Sequence, residues 1–307
     1  MMKNNLHIAY WLPCRETLGP VDQKTGGFLL KTVRDGLISE LQARKVKLTE
    51  VKDFRNAMVC SDGVELEGLD LSEYDAFAWF GDLGKGTELE NNTEALRAVE
   101  ASVTVINSVQ FFTTCMDKFR TSSFLRKIGV RVPEFCLVTK KNVERAIDKI
   151  RCWESEVLVK PRDGGYGIGI MRMKPDDLLN LADYVPDRTH FVEQFIPNSP
   201  NDWIGINIIN GKPADSYWQG WKVMDRTRTG GSMLDREPDG EQLGIALKIA
   251  EKLRAAWVGV DMIKDNQGNY FVVDVNAFPG IYPENYEPKG IDCQKMMADA
   301  IIELASR

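Results

Sequence analysis

Apolar residues along this chain fall into short β-rich runs separated by stretches of helical spacing. Residues 6–12 (Leu-His-Ile-Ala-Tyr-Trp-Leu) predict a first strand. Phe28, Leu29, Val33, Leu37, Ile38 and Leu41 then recur at helical intervals, which predicts a helix over 27–44. Strands are expected at 46–54, 75–80 and 103–107, with a helix over 87–102 before the last of them. This alternation implies a small parallel α/β unit with ligand sites beyond its strand ends. Further on, the pattern predicts helices at 114–127 and 142–150, with Gly129 ending the first. Strands are expected at 130–138, where Pro133 opens the strand, and at 156–161, 168–171 and 190–197. A short helix is expected at 176–182. Runs 203–209 and 213–218 flank Asn210-Gly211, a two-residue hairpin signal. An amphipathic helix over 241–255 and a closing helix over 294–305 complete the reading. No internal repeat or low-complexity segment interrupts it.

The most informative pattern is the pair of runs 257–263 and 270–276, separated by Asp265-Asn266-Gln267-Gly268-Asn269. This reads as an antiparallel hairpin. If Asp265 pairs with Tyr270, Asp261 falls opposite Asp274 and Gly259 opposite Asn276. Two carboxylates and an amide then share one face beside a position without a side chain. Like charges directly opposite destabilise a hairpin unless a cation lies between them. Oxygen ligands with one neutral amide suit a hard ion such as Mg²⁺. The alternative reading is a solvent-facing acid row, and a one-residue slip would separate the acids.

A second pattern is a strand ending in Lys160, followed by Arg162-Asp163-Gly164-Gly165-Tyr166-Gly167 and a further strand. It is neither a Walker A loop nor a dinucleotide fingerprint. It reads either as a plain turn or as a flap whose backbone amides close over phosphates, with Lys160 supplying a point charge. Arg15 and the Gly26-Gly27 helix start allow a similar choice between an anion site and a turn.

Composition narrows the field. The 307 residues suffice for two or three compact domains, and 43% apolar and 27% charged content is that of an ordinary globular protein. A net charge of −6 argues against a nucleic-acid partner. The six cysteines include no C-x-x-C pair, and the only histidines are His7 and His190, which argues against zinc. Reduced thiols, no apolar leader segment and no membrane-length run imply a cytoplasmic protein with no membrane partner.

In order along the chain, these features resemble the ATP-grasp superfamily, in particular its ribosomal-protein glutamate ligase and glutathione synthetase-like branch. Lys118 follows Asn107-Ser108 and Asp117. Lys160 precedes the glycine loop. Glu193-Gln194-Phe195-Ile196 forms an acidic hinge. Arg226-Thr227-Arg228-Thr229-Gly230-Gly231-Ser232 is a basic loop, and the Asp…Asp-x-Asn hairpin with Pro279-Gly280 comes last. The resemblance covers most of the chain from about residue 106 onward.

The resemblance implies an α/β ATP-grasp fold with a Rossmann-like N-terminal domain. The domains would span 1–110, 111–195 (with the flap) and 196–307 (with the metal hairpin). Lys118 and Lys160 would hold ATP phosphates. Gly164, Gly165, Tyr166 and Gly167 would cover them. Glu193, Gln194, Phe195 and Ile196 would read adenine, and Asp202 the ribose. Asp261, Asp274 and Asn276 would bind Mg²⁺, as a pair of ions that Mn²⁺ can replace. Arg226 and Arg228 would meet the transferred phosphate.

The implied activity is an ATP-dependent carboxylate–amine ligase that works through an acyl-phosphate. Its substrates would be small-molecule or peptide acids and amines, with homo-oligomerisation left open. A small-molecule kinase and a nucleotide-binding module without catalysis are the alternatives. The chain departs from the family pattern in three places. Asp274 stands where Glu is common. Asp202-Trp203-Ile204-Gly205 stands where Asp-x-Arg is common. The aromatic run Tyr217-Trp218-Gln219-Gly220-Trp221 matches no motif and reads as strand packing.

Overall fold

The computed structural model describes residues 5–14, 28–61, 63–162, 169–185, 188–218 and 234–307. The first sheet is parallel. It contains β1 (His7–Trp11), β2 (Lys47–Glu50), β5 (Ala76–Trp79) and β6 (Thr104–Ile106) in the order β2-β1-β5-β6. Helices α1 (Lys31–Ala43) and α2 (Thr87–Glu100) provide its crossovers, and a small hairpin of β3 (Met58–Cys60) and β4 (Gly63–Glu65) is inserted between β2 and β5. That hairpin has no hydrophobic alternation to announce it, since Met58 and Val59 are both exposed. Helix α1 buries Val33, Leu37 and Leu41, as its spacing predicts, but it starts at Lys31 rather than at residue 27. Leu29, just before it, makes an isolated bridge to Cys14.

The predicted helix over 114–127 is broken. Helix α3 (Val109–Met116) and helix α4 (Lys118–Lys127) are separate, because Asp117 leaves the helical region and caps α4. Its side chain accepts from Phe119 N at 2.9 Å and Arg120 N at 3.1 Å. Lys118 is thereby placed at the first position of a helix instead of within one.

The second sheet is antiparallel, with β7 (Phe135–Val138), β8 (Val157–Lys160), β9 (Met171–Met173) and β10 (His190–Gln194) in the order β7-β10-β8-β9. Helices α5 (Val143–Arg151) and α6 (Leu178–Tyr184) cover one face, where Val157, Val159 and Val192 join Ile147, Ile150 and Leu178 in a compact core. Leu158 and Lys160 therefore turn to the opposite face.

The third sheet, also antiparallel, has the order β13-β12-β11-β14-β15. Its strands are β11 (Asn198–Ile209), β12 (Lys212–Trp218), β13 (Leu234–Asp235), β14 (Trp257–Asp265) and β15 (Tyr270–Asn276). The β11–β12 hairpin turns at Asn210 and Gly211, whose φ values of 50° and 67° suit the mirror-image turn that Asn-Gly favours. Helix α7 (Gly240–Leu253) starts in a capping box of Asp239 and Gln242 and packs on this sheet. Helices α8 (Pro283–Tyr286) and α9 (Cys293–Ala305) follow β15.

The first and third sheets share a core. Phe278, two residues beyond β15, meets Trp79 and Phe112, with ring centroids 5.1 Å and 5.9 Å away. Asn107 joins the same elements. Its amide donates to Trp257 O at 3.0 Å and accepts from Ala256 N at 2.6 Å. The carboxyl end of the parallel sheet is thus held against the strands that carry the acids.

Candidate active site

The acid hairpin has the expected register where it matters: Asp261 pairs with Asp274, and Gly259 with Asn276. Near the turn the register differs from expectation. Tyr270 pairs with Lys264, not with Asp265, and a bulge between Asp261 and Met262 adds one residue to β15 and restores the acid pairing. Gly259 is not an open gap either. A Cβ there would lie 3.0 Å from Asn207 Oδ1 and 3.1 Å from Pro279 Cβ, so glycine is needed for close packing.

Asn276 donates its side-chain amide to Asp261 Oδ2 at 3.1 Å. Asp261 Oδ1 is buried and has no hydrogen-bond partner among the described residues. Burial, and then the charge of Asp274, push the Asp261 carboxyl up to about 7. A buried orphan oxygen facing a second carboxylate is an arrangement that a hard cation relieves, so the donor set fits Mg²⁺. On the other side of Asp274, Lys118 Nζ approaches Oδ2 at 3.4 Å, carried there by the start of α4.

Lys160 and Glu193 form the second half of the site. Lys160 pairs with Phe191 across the sheet, so Glu193 lies diagonally from it on the same face. Their side chains are 7% and 4% exposed, and Nζ to Oε1 is 2.6 Å. Burial raises the Glu193 carboxyl, while the charge and hydrogen bond of Lys160 act to lower it. The charges of Lys118 and Lys160 both reach Asp261, and those of Asp274 and Lys118 reach Glu193. The lysines, the acid pair and Glu193 therefore form one electrostatic unit, facing each other from two sheets and the start of α4.

The other expected positions are distributed as follows. The amides of Gln194 and Phe195 donate to the carbonyls of Glu134 and Glu156 at 2.7 Å and 2.9 Å, which ties the hinge to the residues just before β7 and β8. The Phe195 ring stacks under Arg172 at 3.7 Å. Asp202 Oδ2 accepts from Ser199 N at 3.3 Å. Gly164, Gly165, Tyr166, Gly167, Arg226 and Arg228 lie outside the described residues, as do Arg15, Gly26, Gly27 and Trp221.

Sequence reasoning missed one link between the lysines. Arg162 pairs with Asp117, and its carbonyl accepts from Lys118 N at 3.0 Å. The cap of α4 is thus tied to the strand end that carries Lys160. An arginine two residues beyond a strand-end lysine was the available signal.

A lysine on one antiparallel sheet, a second at a helix start, paired acids on another sheet and a parallel α/β unit behind them define an ATP-grasp protein. Residues 115–301 match the RimK-like ATP-grasp domain family, and the chain belongs to that family. It is an ATP-dependent ligase that forms carbon–nitrogen bonds.

The alpha-aminoadipate–LysW ligase LysX of Sulfurisphaera tokodaii is 26% identical over 208 residues, which cover 62% of this chain and 72% of that protein. D-alanine–D-alanine ligase B of Clostridium perfringens is 27% identical over 213 residues, covering 62% and 67%. The solved D-cycloserine synthetase DcsG shares the fold, with a TM-score of 0.68 over 97% of this chain and 99% of its own, at 15% identity. Among the described residues, no helix is long and apolar enough to cross a membrane.

Proposed function

We propose that this site joins an acid to an amine in two displacements. A substrate carboxylate attacks the γ-phosphorus of ATP, giving an acyl-phosphate and ADP. The amine then attacks the acyl carbon, forming the amide and releasing phosphate. The observation that carries this reading is the pairing of Asp261 with Asp274 across β14 and β15, with Lys118 at one end of the row. Such a site holds and neutralises phosphates, and the reaction needs little more from the protein than position and charge balance.

Lys118 and Lys160 would hold phosphate oxygens. Asp261, Asp274 and Asn276 would hold Mg²⁺, which would supply positive charge against the phosphates. Glu193 would keep Lys160 charged and in place. The hinge residues Glu193, Gln194, Phe195 and Ile196 would receive the base, Asp202 the ribose, and Arg226 and Arg228 the transferred phosphate. The acid and the amine are small molecules or peptide ends, and the protein acts in the cytoplasm. We further propose domains over 1–110, 111–195 and 196–307. Each of the three large sheets falls within one of these ranges.

Hydroxylamine separates a ligase from a kinase on the same scaffold. An acyl-phosphate is electrophilic at carbon and traps as a hydroxamate with ADP and free phosphate, whereas a phosphorylated alcohol does not. Screening candidate acids with ATP, Mg²⁺ and hydroxylamine is expected to yield hydroxamate. ADP with a stable phosphoester would instead identify a kinase. The nucleotide half of the reading is checked by Lys118→Ala, which should weaken calorimetric ATP affinity by about 1.5–3 kcal/mol, the range for a lost charged hydrogen bond. Unchanged affinity would remove Lys118 from the phosphate site.

A further inference from the structure

Across the third sheet, Tyr217, Gly205, Asp261 and Asp274 stand in one cross-strand row. Neighbours in such a row share a face, so Tyr217 lies on the face that carries the acids, with only a bare glycine between it and Asp261. Its ring uses that space. A Cβ at Gly205 would lie 2.5 Å from Tyr217 Cζ and 2.8 Å from its hydroxyl oxygen, so the phenol tip sits directly over Gly205. Tyr217 is 6% exposed, and its ring is steadied by Trp203 at a centroid distance of 5.7 Å. The next atom group along the row is the Asp261 carboxylate, whose Oδ1 lacks a partner among the described residues.

We propose that Tyr217 is a catalytic residue of the ligase, donating its hydroxyl hydrogen to an oxygen of the phosphoryl group in transfer beside Asp261. Gly205 is then the bare position that lets the phenol reach across. The inference rests on the phosphoryl-transfer reading of the site and adds to it a residue that the aromatic run had not suggested. A tyrosine phenol is a neutral donor near neutral pH. A neutral donor suits a phosphoryl group in a row already rich in carboxylates, since it adds a hydrogen bond without adding charge.

The test needs no knowledge of the acid or the amine. The probe is Mg²⁺ and ADP, with and without aluminium fluoride, a mimic of the phosphoryl group in transfer, and binding is followed by calorimetry. Wild type is expected to bind the fluoride complex more tightly than Mg·ADP alone. Tyr217→Phe should bind Mg·ADP as wild type does and lose roughly ten- to hundredfold of the gain from fluoride. Equal gains in the two proteins would overturn the assignment alone. A wild type that gains nothing from fluoride would overturn the phosphoryl-transfer reading and the assignment with it. A packing role is separated by a second pair. Gly205→Ala should lower Tm by crowding the ring, and adding Tyr217→Ala should restore Tm without restoring the gain. A double variant that recovers both would make Tyr217 a space-filler and end the proposal.

Discussion

Replacing Asp274 by Asn is expected to lower turnover by about two to three orders of magnitude, the usual loss for one group that stabilises charge in a transition state, while the chain still folds. The replacement keeps the shape of the side chain and an oxygen for the cation but removes a unit of negative charge. Lys118, 3.4 Å from Asp274 Oδ2, loses its counter-charge at the same time.

In the metal-free protein the same substitution should act on stability in the other direction. Asp261 is pushed up to about 7, first by burial and then by Asp274, whereas an unfolded aspartate titrates near about 3.9. Between those values the folded state holds a proton that the unfolded state has lost. Stability of the metal-free protein should therefore fall as pH rises from about 4 to about 7 and level off above that, by at most about 4 kcal/mol. Asp274→Asn removes the second cause of the shift and should flatten that fall. Denaturation in a chelator across this range measures both slopes, and activity with Mg²⁺ measures the loss. Normal turnover in the variant, or identical pH slopes, would remove the paired-acid account of the site.

How far the sequence made this legible depended on local signals. Asn210-Gly211 announced its hairpin because few residues accept positive φ at both turn positions. The shared face of Asp274 and Asn276 in β15 announced the acids. Bulges were not legible. One lies between Asn207 and Ile208 and another between Asp261 and Met262, and each sets the register on the active face. In the β14–β15 pair the expected register was one residue off at the turn, and the bulge cancelled that error, so the acid pairing came out right for an incomplete reason. In the β11–β12 pair, counting back from the two-residue turn would place Ile204 opposite Tyr217. The bulge places Gly205 there instead. An extra residue in one strand leaves no compositional mark when it is an ordinary alanine or valine. Asp117 was different. The apolar spacing on both sides ran through it and hid the break between α3 and α4.

Lys160→Met should cost about 3–5 kcal/mol of stability, the loss expected when one partner of a buried ion pair is removed. The reason is Glu193. At 4% side-chain exposure it has little water to solvate its charge, and Lys160 Nζ at 2.6 Å is the cation beside it. Burial already raises the Glu193 carboxyl, and Lys160 acts against that rise. Without the lysine the carboxyl rises further, and the variant takes up a proton on folding over a wider range above the unfolded value. The stability deficit should therefore be larger at about pH 8 than at about pH 5, which is close to the unfolded glutamate value of about 4.3, so that protonating Glu193 on folding costs little there.

The mirror variant, Glu193→Gln, leaves Lys160 buried without a carboxylate and should also be destabilised. The double variant Lys160→Met/Glu193→Gln buries no charge at all and should recover most of the stability, because an uncharged pair of similar size escapes the desolvation cost. Its ATP affinity should not recover, since the role assigned to Lys160 is to carry positive charge to the phosphates. Denaturation at the two pH values and calorimetry with ATP distinguish the two functions of the pair. If the double variant binds ATP as wild type does, Lys160 serves the fold alone and the phosphate site must be built without it.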